Sequence, residues 1–444
     1  MQSIRNSLIE VLPENVGKWA HEVMSELFFN ARSIVGPQIK ADYRQLAKGF
    51  RTKPNFISFK SGRRIESWEV PEEWKLNRAY LKCVRSEKII VDTDECNLYL
   101  WSHSKPFVGR LDRDELLATH VKSHPVLNDA IPYITTYYED TWGFSIPTVI
   151  VDEMCEGPFD VIVDTELKPG SLEIMEVVLP GKSKTEILFS TYLCHPSMAN
   201  NELSGPVLMM ALINYLEKLP RNYTYRFVMA PETIGSICYT SGRRGKLLSK
   251  KNLHAFNLTC VGGSTEWSLL TSRLGDTYTD FVAKFILSNS VKAFKEYDYL
   301  SRGSDERQYC TPKIGINMVS IMRSKYYEYP EYHTNLDNLL FVTHQTLQTT
   351  FDLYKILLDS LESDGKITTK LTHEPYLNVL LEKPELGGQL HTVKPFRRQI
   401  LDFIAYSDGR SFLEILEITQ IGLSEGIKIL EFLLSKQAIQ KELF

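Results

Sequence analysis

The sequence has no apolar run long enough to cross a bilayer. Its longest, Pro206 to Leu216, is interrupted by Asn214 and falls far short of the ~20 residues that a membrane helix needs. The opening stretch, MQSIRNSLIEVLPENVGKW, has no apolar core followed by a cleavage site, so no secretory signal is expected and a cytoplasmic location is. The seven cysteines, at positions 83, 96, 155, 194, 238, 260 and 310, include no C-x-x-C pair, which excludes a zinc ribbon. An odd, scattered set is expected to consist of reduced, mostly buried thiols. Charge of neither sign is in excess: 51 basic and 55 acidic residues leave −4, a balance that favours neither nucleic acid nor an anionic membrane. G-x-S-x-G is missing, which argues against a serine hydrolase. Low-complexity runs and internal repeats are missing too.

What is present is material for two or three soluble domains: 444 residues, 43% hydrophobic and 24% charged. Apolar residues at helical spacing predict helices over 14–31 and 38–50. Short strands with turns fill 55–122. From about 125 to 365 the pattern alternates: strands at 186–193, 223–230, 253–263 and 315–322, helices at 204–219, 277–289 and 338–361. Such alternation predicts a mostly parallel sheet flanked by helices. After about 370 come three short amphipathic helices and a terminal strand, a winged-helix-like pattern. The expected organisation is an α/β domain formed by 1–54 and 123–366, an inserted β-rich domain at 55–122, and a winged-helix-like domain at 367–444.

Ligands gather at the carboxyl ends of strands in open α/β sheets, and three polar groups fall there. His195 follows the strand 186–193, Glu232 follows 223–230, and His333 comes after 315–322. Two imidazoles and a carboxylate suit zinc with an open fourth position. Each residue alone has a plainer reading. A lone histidine at a strand end is usually structural, a glutamate after proline caps a helix, and Thr334 with Asp337 reads as a capping box just after His333. Cys194 reads as a buried structural thiol pointing away from His195. Ser204 is expected to cap the following helix, and Gly205 to allow close backbone approach.

The segments STYLCHPSMANNELSGP, APETIGSICY, SDERQYCTPKIGI and EYHTNLDN together resemble an aminopeptidase-like family associated with polysaccharide biosynthesis. That family is a distant branch of the zinc aminopeptidase superfamily, which includes bacterial leucyl aminopeptidases and glutaminyl cyclases. SGRRIESWEVPEEW (61–74), DAIPYITTYYEDTWGFSIP (129–147) and the helical tail extend the resemblance over nearly the whole chain. It implies an aminopeptidase-like α/β domain with an inserted β-rich module and a winged helix. It matches His195 to the first metal-ligand histidine, Glu232 to the ligand glutamate and His333 to the last histidine.

The same matching exposes departures. Asn201 occupies the place of the aspartate that bridges two zinc ions. Thr259 replaces a second aspartate, and Pro231 stands where the general-base glutamate precedes Glu232. One zinc ion is therefore expected, held by His333, Glu232 and one of Asn201, Glu202 or His195. Glu202 and Asp305 are the candidate bases, with an ion pair to Arg302 or Arg307 as the other reading of Asp305. Arg307, through its planar fork, and Tyr332 are the candidate substrate contacts. The expected activity is hydrolysis of an amide or peptide-like bond in a small acylated or aminoacylated metabolite or peptide. Two readings stand beside it: a degenerate, non-catalytic binding protein, and a glutaminyl-cyclase-like acyl transfer. From Lys394 onward seven basic residues face seven acidic ones, a poor DNA surface. The tail is expected to pack on the catalytic domain or on a second subunit, which leaves a homo-oligomer open.

Overall fold

The computed structural model describes residues 15–248, 253–381 and 395–444. Of the opening stretch read for a signal, residues 1–14 lie outside them.

Helix α1 (Val16–Leu27) starts where the Asn15 side chain accepts the Lys18 amide, at 2.8 Å. Its buried residues Val16, Trp19, Ala20, Val23, Met24 and Leu27 recur at the helical period and form one stripe. Helix α2 (Pro37–Ala47) opens on a proline, whose missing amide costs nothing at that position. The central sheet has eight strands: β1 (Asn55–Lys60), β2 (Ser171–Leu179), β3 (Glu186–Tyr192), β4 (Thr224–Ala230), β5 (Leu253–Asn257), β6 (Trp267–Leu270), β7 (Phe294–Tyr297) and β8 (Met318–Arg323). They lie in the order β1-β2-β4-β3-β5-β8-β6-β7. The middle four, β4, β3, β5 and β8, run parallel, while β1, β2 and β6 join antiparallel at the margins. Every residue of β3 is buried, as a strand covered on both faces must be. Phe189 of β3 stacks between Phe227 of β4 and Phe256 of β5, with ring centroids 5.3 Å apart on each side. Helices α3 (Ser204–Leu216), α4 (Ile234–Thr240), α5 (Tyr278–Ser290) and α6 (His344–Ser363) flank the sheet.

The strand pairing draws other limits than 55–122 for the β-rich part. Residues 55–60 are β1 of the central sheet. The separate four-stranded antiparallel sheet takes 89–92, 73–83, 159–168 and 107–111, in that order. The strand 159–168 therefore lies far beyond residue 122 and leads directly into β2. Pairing of Cys83 with Phe159 brings Cys83 close to Cys155, and the two form a disulfide. The expectation of seven reduced thiols is thus corrected for two of them. Sequence spacing hides a pair that only strand register brings together.

The tail contributes helices over 395–405, 412–419 and 423–435 and a three-stranded sheet of 366–369, 408–411 and 439–442. Residue 366 thus opens the tail's own sheet instead of closing the preceding domain. The tail packs on the α/β domain. Helix 412–419 meets α5, and the Phe444 carbonyl accepts the Ser183 and Thr185 hydroxyls at 2.7 and 2.6 Å. No helix among the described residues is long and apolar enough to cross a membrane.

Candidate metal centre

The loops at the carboxyl ends of β3 and β4 bring His195 and Glu232 together, with Nε2 of His195 3.6 Å from Oε2 of Glu232. The His333 ring lies 5.7 Å from that of His195, centroid to centroid. Arg307 and Glu232 line a cleft of about 180 Å³ with His195, Trp68, Tyr137 and Tyr138.

Glu202 turns inward, but its oxygens are taken. One accepts the Cys194 amide, and the other lies 2.6 Å from Nδ1 of His195. The wide π-helical turn Ala199–Leu203 makes this possible, because a π turn rotates a side chain away from its α-helical direction. Two backbone amides, of Asn200 and Asn201, hold that turn to the Asp337 carboxylate at 2.6 and 2.9 Å. Asp337 therefore anchors the β3 loop and does not form a capping box with Thr334. The box that starts α6 is Thr343 with Thr346. Ser204 does not cap α3 either: its hydroxyl donates to the Asn200 carbonyl and accepts the Val261 amide. Gly205 does sit where the chain comes close. A Cβ there would stand 2.3 Å from the Leu258 carbonyl oxygen.

Asp305 is also fully buried. Its Oδ1 accepts the Thr233 amide and the Ser236 hydroxyl at 2.7 and 3.0 Å. It makes no ion pair with Arg302 or Arg307, and Oδ2 has no partner. Burial and the nearby Glu232 push its carboxyl up to about 8. Thr233, which it holds, is the centre of a tight γ-turn with φ +61° and ψ −72°, closed by Ile234 N–H on the Glu232 carbonyl at 2.7 Å. A β-branched residue in that region is strained by about 1–3 kcal/mol. His333, at φ +56°, is a second strained residue beside the site. The two carboxylates expected to move a proton thus both hold neighbouring groups in place: Glu202 holds His195, and Asp305 holds the turn that carries Glu232.

Electrostatics follow from this packing. Burial pushes the His195 imidazole down, but the Glu202 carboxylate and then Glu232 outweigh it, so the net shift is upward. Burial and the neighbouring His195 push His333 down to about 3, leaving it neutral as a metal ligand must be. Burial raises Glu232 against the opposing pull of His195 and Arg307.

Asn201 and Thr259, which the resemblance matched to two aspartates, lie in a neutral chain. Asn201 Nδ2 donates to the Tyr192 hydroxyl at 3.0 Å, which lies 2.7 Å from the Thr259 hydroxyl. Asn201 Oδ1 is buried with no hydrogen-bond partner. Cys194 does not point away from His195: its sulfur accepts the Glu232 amide at 3.3 Å and lies 3.4 Å from Nδ1. Among the described residues, Cys194, His195 and Glu202 also group tightly enough to hold a cation, but the short Glu202–Nδ1 hydrogen bond already fills that side. On the Nε2 side His195 and Glu232 are spaced to share one ion, with the His333 ring centred 5.7 Å from that of His195. Two ligands of a tetrahedral zinc ion stand roughly 3.3–3.5 Å apart, close to the His195–Glu232 separation and too long for a hydrogen bond.

Two supports escape a reading of the sequence. Arg32, fully buried, pairs with Asp42 at 3.1 Å and donates to the His195 carbonyl at 3.0 Å. Tyr133 presents ring edges to both His195 and His333, at 4.9 and 5.4 Å, and its own amide donates to the His333 carbonyl. Tyr332 stacks on His333 at 3.9 Å and does not line the cleft, so it supports the imidazole instead of facing substrate. Of Arg32 and Tyr133, only Tyr133 had a signal, in the conspicuous segment 129–147.

The family described as a domain of unknown function, DUF4910, matches residues 21–364. The chain belongs to this family. A Clostridium acetobutylicum protein described as a candidate polysaccharide biosynthesis protein with an aminopeptidase-like domain is 35% identical over 423 residues, 95% of this chain and 91% of the relative. The crystal structure of a candidate peptidase from Clostridium acetobutylicum has a TM-score of 0.86 at 30% identity, covering 99% of both chains. A zinc aminopeptidase from Bacillus subtilis shares the fold at a TM-score of 0.54 and 14% identity, over 78% of this chain and 95% of that one. The large mixed sheet flanked by helices is thus the aminopeptidase-like fold.

Proposed function

We propose that the chain is a hydrolase of an amide or peptide-like bond that works with one zinc ion. The observation that carries this is the approach of His195 Nε2 and Glu232 at 3.6 Å, with His333 beside them and a neutral chain in place of a second carboxylate pair. The names of the relatives support it: one carries an aminopeptidase-like domain, another is a candidate peptidase. His195, Glu232 and His333 would hold the ion, with Asn201 Oδ1 as the spare oxygen. When bound, zinc lowers the pKa of a water to about 7 and polarises a carbonyl.

The rest falls to the chain. Glu202 accepts Nδ1–H of His195 and so leaves the Nε2 lone pair facing the cleft. Asp305 fixes the γ-turn that aims Glu232. Glu232 is the carboxylate of the cleft: one oxygen faces His195, and the other is left to hold the proton during amide cleavage. Arg307, tethered by its Nη2 to the Thr233 hydroxyl at 3.0 Å, presents the rest of its fork to a substrate carboxylate or carbonyl oxygen. The substrate class is a small acylated or aminoacylated molecule or a short peptide.

Release of amine from a panel of aminoacyl amides and N-acyl amines, with and without added zinc, tests this proposal. Zinc-dependent release that Glu232→Gln lowers by at least about 100-fold is expected. No turnover of any panel member by zinc-loaded protein favours the binding-protein reading.

A further inference from the structure

The cleft beside the metal centre holds about 180 Å³. A benzene ring fits an apolar space of ~150 Å³, so this cleft takes one ring on a short chain. Its lining is of two kinds: the polar His195, Glu232, Thr233 and Arg307, and the apolar Ile34 and Ile234 with the rings of Trp68, Tyr137 and Tyr138. Trp68 comes from a short hairpin that pairs 64–65 with 68–69, and its ring meets that of Tyr138 edge-on at 6.4 Å. Both tyrosine hydroxyls are engaged. That of Tyr138 donates to the Glu69 carbonyl at 2.9 Å, and that of Tyr137 lies 2.6 Å from the Tyr133 hydroxyl. What these rings keep for a ligand is carbon, which suits an apolar ring.

Charge supplies a second and independent selection. Glu232 is the single carboxylate of the lining and Arg307 its single guanidinium. Glu232 already faces His195 at 3.6 Å. A free α-ammonium entering here meets a fixed cation and no other carboxylate, and a charge buried without a partner is costly. A carboxylate meets the opposite. Arg307 is held from two sides, with Nε donating to the Ser304 carbonyl at 3.2 Å and Nη2 to the Thr233 hydroxyl at 3.0 Å. Neither bond uses Nη1, so a guanidinium already held in place has donors to spare for a ligand oxygen.

We propose that the substrate is an amide with one apolar ring, a carboxylate and no free α-amine, the class of an N-acyl amino acid. Its ring lies against Trp68 and Tyr138, and its carboxylate is held by Arg307. The inference rests on the proposed function for the amide bond and chooses the acylated over the aminoacylated class.

The test is a fluorescence titration of the full chain with 3-phenylpropanoate, 3-phenylpropylamine and propanoate. It is run in chelator, at low salt and about pH 7, where the carboxylates and the amine are all ionised. 3-Phenylpropanoate is expected to bind at least about tenfold tighter than either of the others. Arg307→Met is expected to remove its advantage over the amine. Trp68→Ala is expected to weaken both ring ligands alike, by about three- to tenfold, and to keep the preference for the carboxylate. Equal affinity for the two ring ligands, a preference for the amine, a preference that survives Arg307→Met, or no binding of any of the three overturns the proposal. Because chelator is present, the outcome is separate from that of the metal centre. Carboxylate preference without zinc uptake leaves the cleft assignment standing and removes the hydrolase reading. Zinc-dependent release of amine from aminoacyl amides but not from N-acyl amino acids does the reverse.

Discussion

The role of a single side chain here is set by which of its atoms are already taken. Glu202 is the clearest case. Its position beside Asn201 suggested a metal ligand or a base, but both oxygens are committed, one to the Cys194 amide and one to His195. Its effect on a metal is then exerted through the imidazole. Glu202→Gln is expected to weaken zinc binding about 10–100-fold, measured by competition with a chromophoric chelator; unchanged affinity would remove the positioning role. Arg32 and Asp42 form a comparable support, buried together behind His195, where the loss of either partner strands a charge. His254 gives a pH signature independent of the centre. It contacts the Thr279 hydroxyl at 3.3 Å, and burial pushes it down to about 4. Between pH ~6.5 and ~4 the unfolded chain binds a proton there and the folded chain does not. Stability present above that window is lost as pH falls through it, by about 3 kcal/mol in all. Urea denaturation of wild type and His254→Gln over pH 4–7 checks this: the variant should show a shallower loss on acidification.

At the scale of elements, the fold was legible where periodicity is strong. The strand 186–192, the helix 204–216 and the three tail helices stand within a few residues of where hydrophobic spacing places them. The motifs also located the strand ends that carry His195 and Glu232. What could not be read was the direction in which loop side chains turn. A π-helical turn at 199–203 and a γ-turn at Thr233 aim Glu202 and Glu232, and neither turn has a sequence signature. The Thr334–Asp337 spacing mimicked a helix cap because Asp337 serves a loop more than a hundred residues away. Gly205 is the joint at which α3 comes down on the sheet. Gly205→Ala would place a methyl 2.2 Å from the Thr191 hydroxyl and 2.3 Å from the Leu258 carbonyl oxygen. A loss of about 1–3 kcal/mol or more is expected in thermal or chemical unfolding, with weakened metal binding because α3 continues the turn that bears Glu202. Wild-type stability in this variant would mean that the approach is looser than described.

Across the whole molecule, remote segments converge on one edge of the sheet. Residues 129–138 come from beyond the four-stranded sheet's first strands to lay Tyr133 over both histidines and Tyr137 and Tyr138 over the cleft. The tail closes the opposite end of β3, with the Phe444 carbonyl on Ser183 and Thr185 and Lys441 on the last carbonyls of α6. The tail thus braces the sheet at the end away from the chemistry. The departures at Asn201, Thr259 and Pro231 are coherent at this scale. Asn201 and Thr259 join through Tyr192 into a neutral network, and the proposal leaves His195, Glu232 and His333 for one cation. Metal stoichiometry tests that claim most directly: apo protein is titrated with zinc, dialysed and analysed for bound metal, beside His195→Ala and Glu232→Ala. One equivalent of zinc bound by the wild type and lost in both variants is the predicted result. Two equivalents, or less than about a tenth of one after saturation, would contradict it.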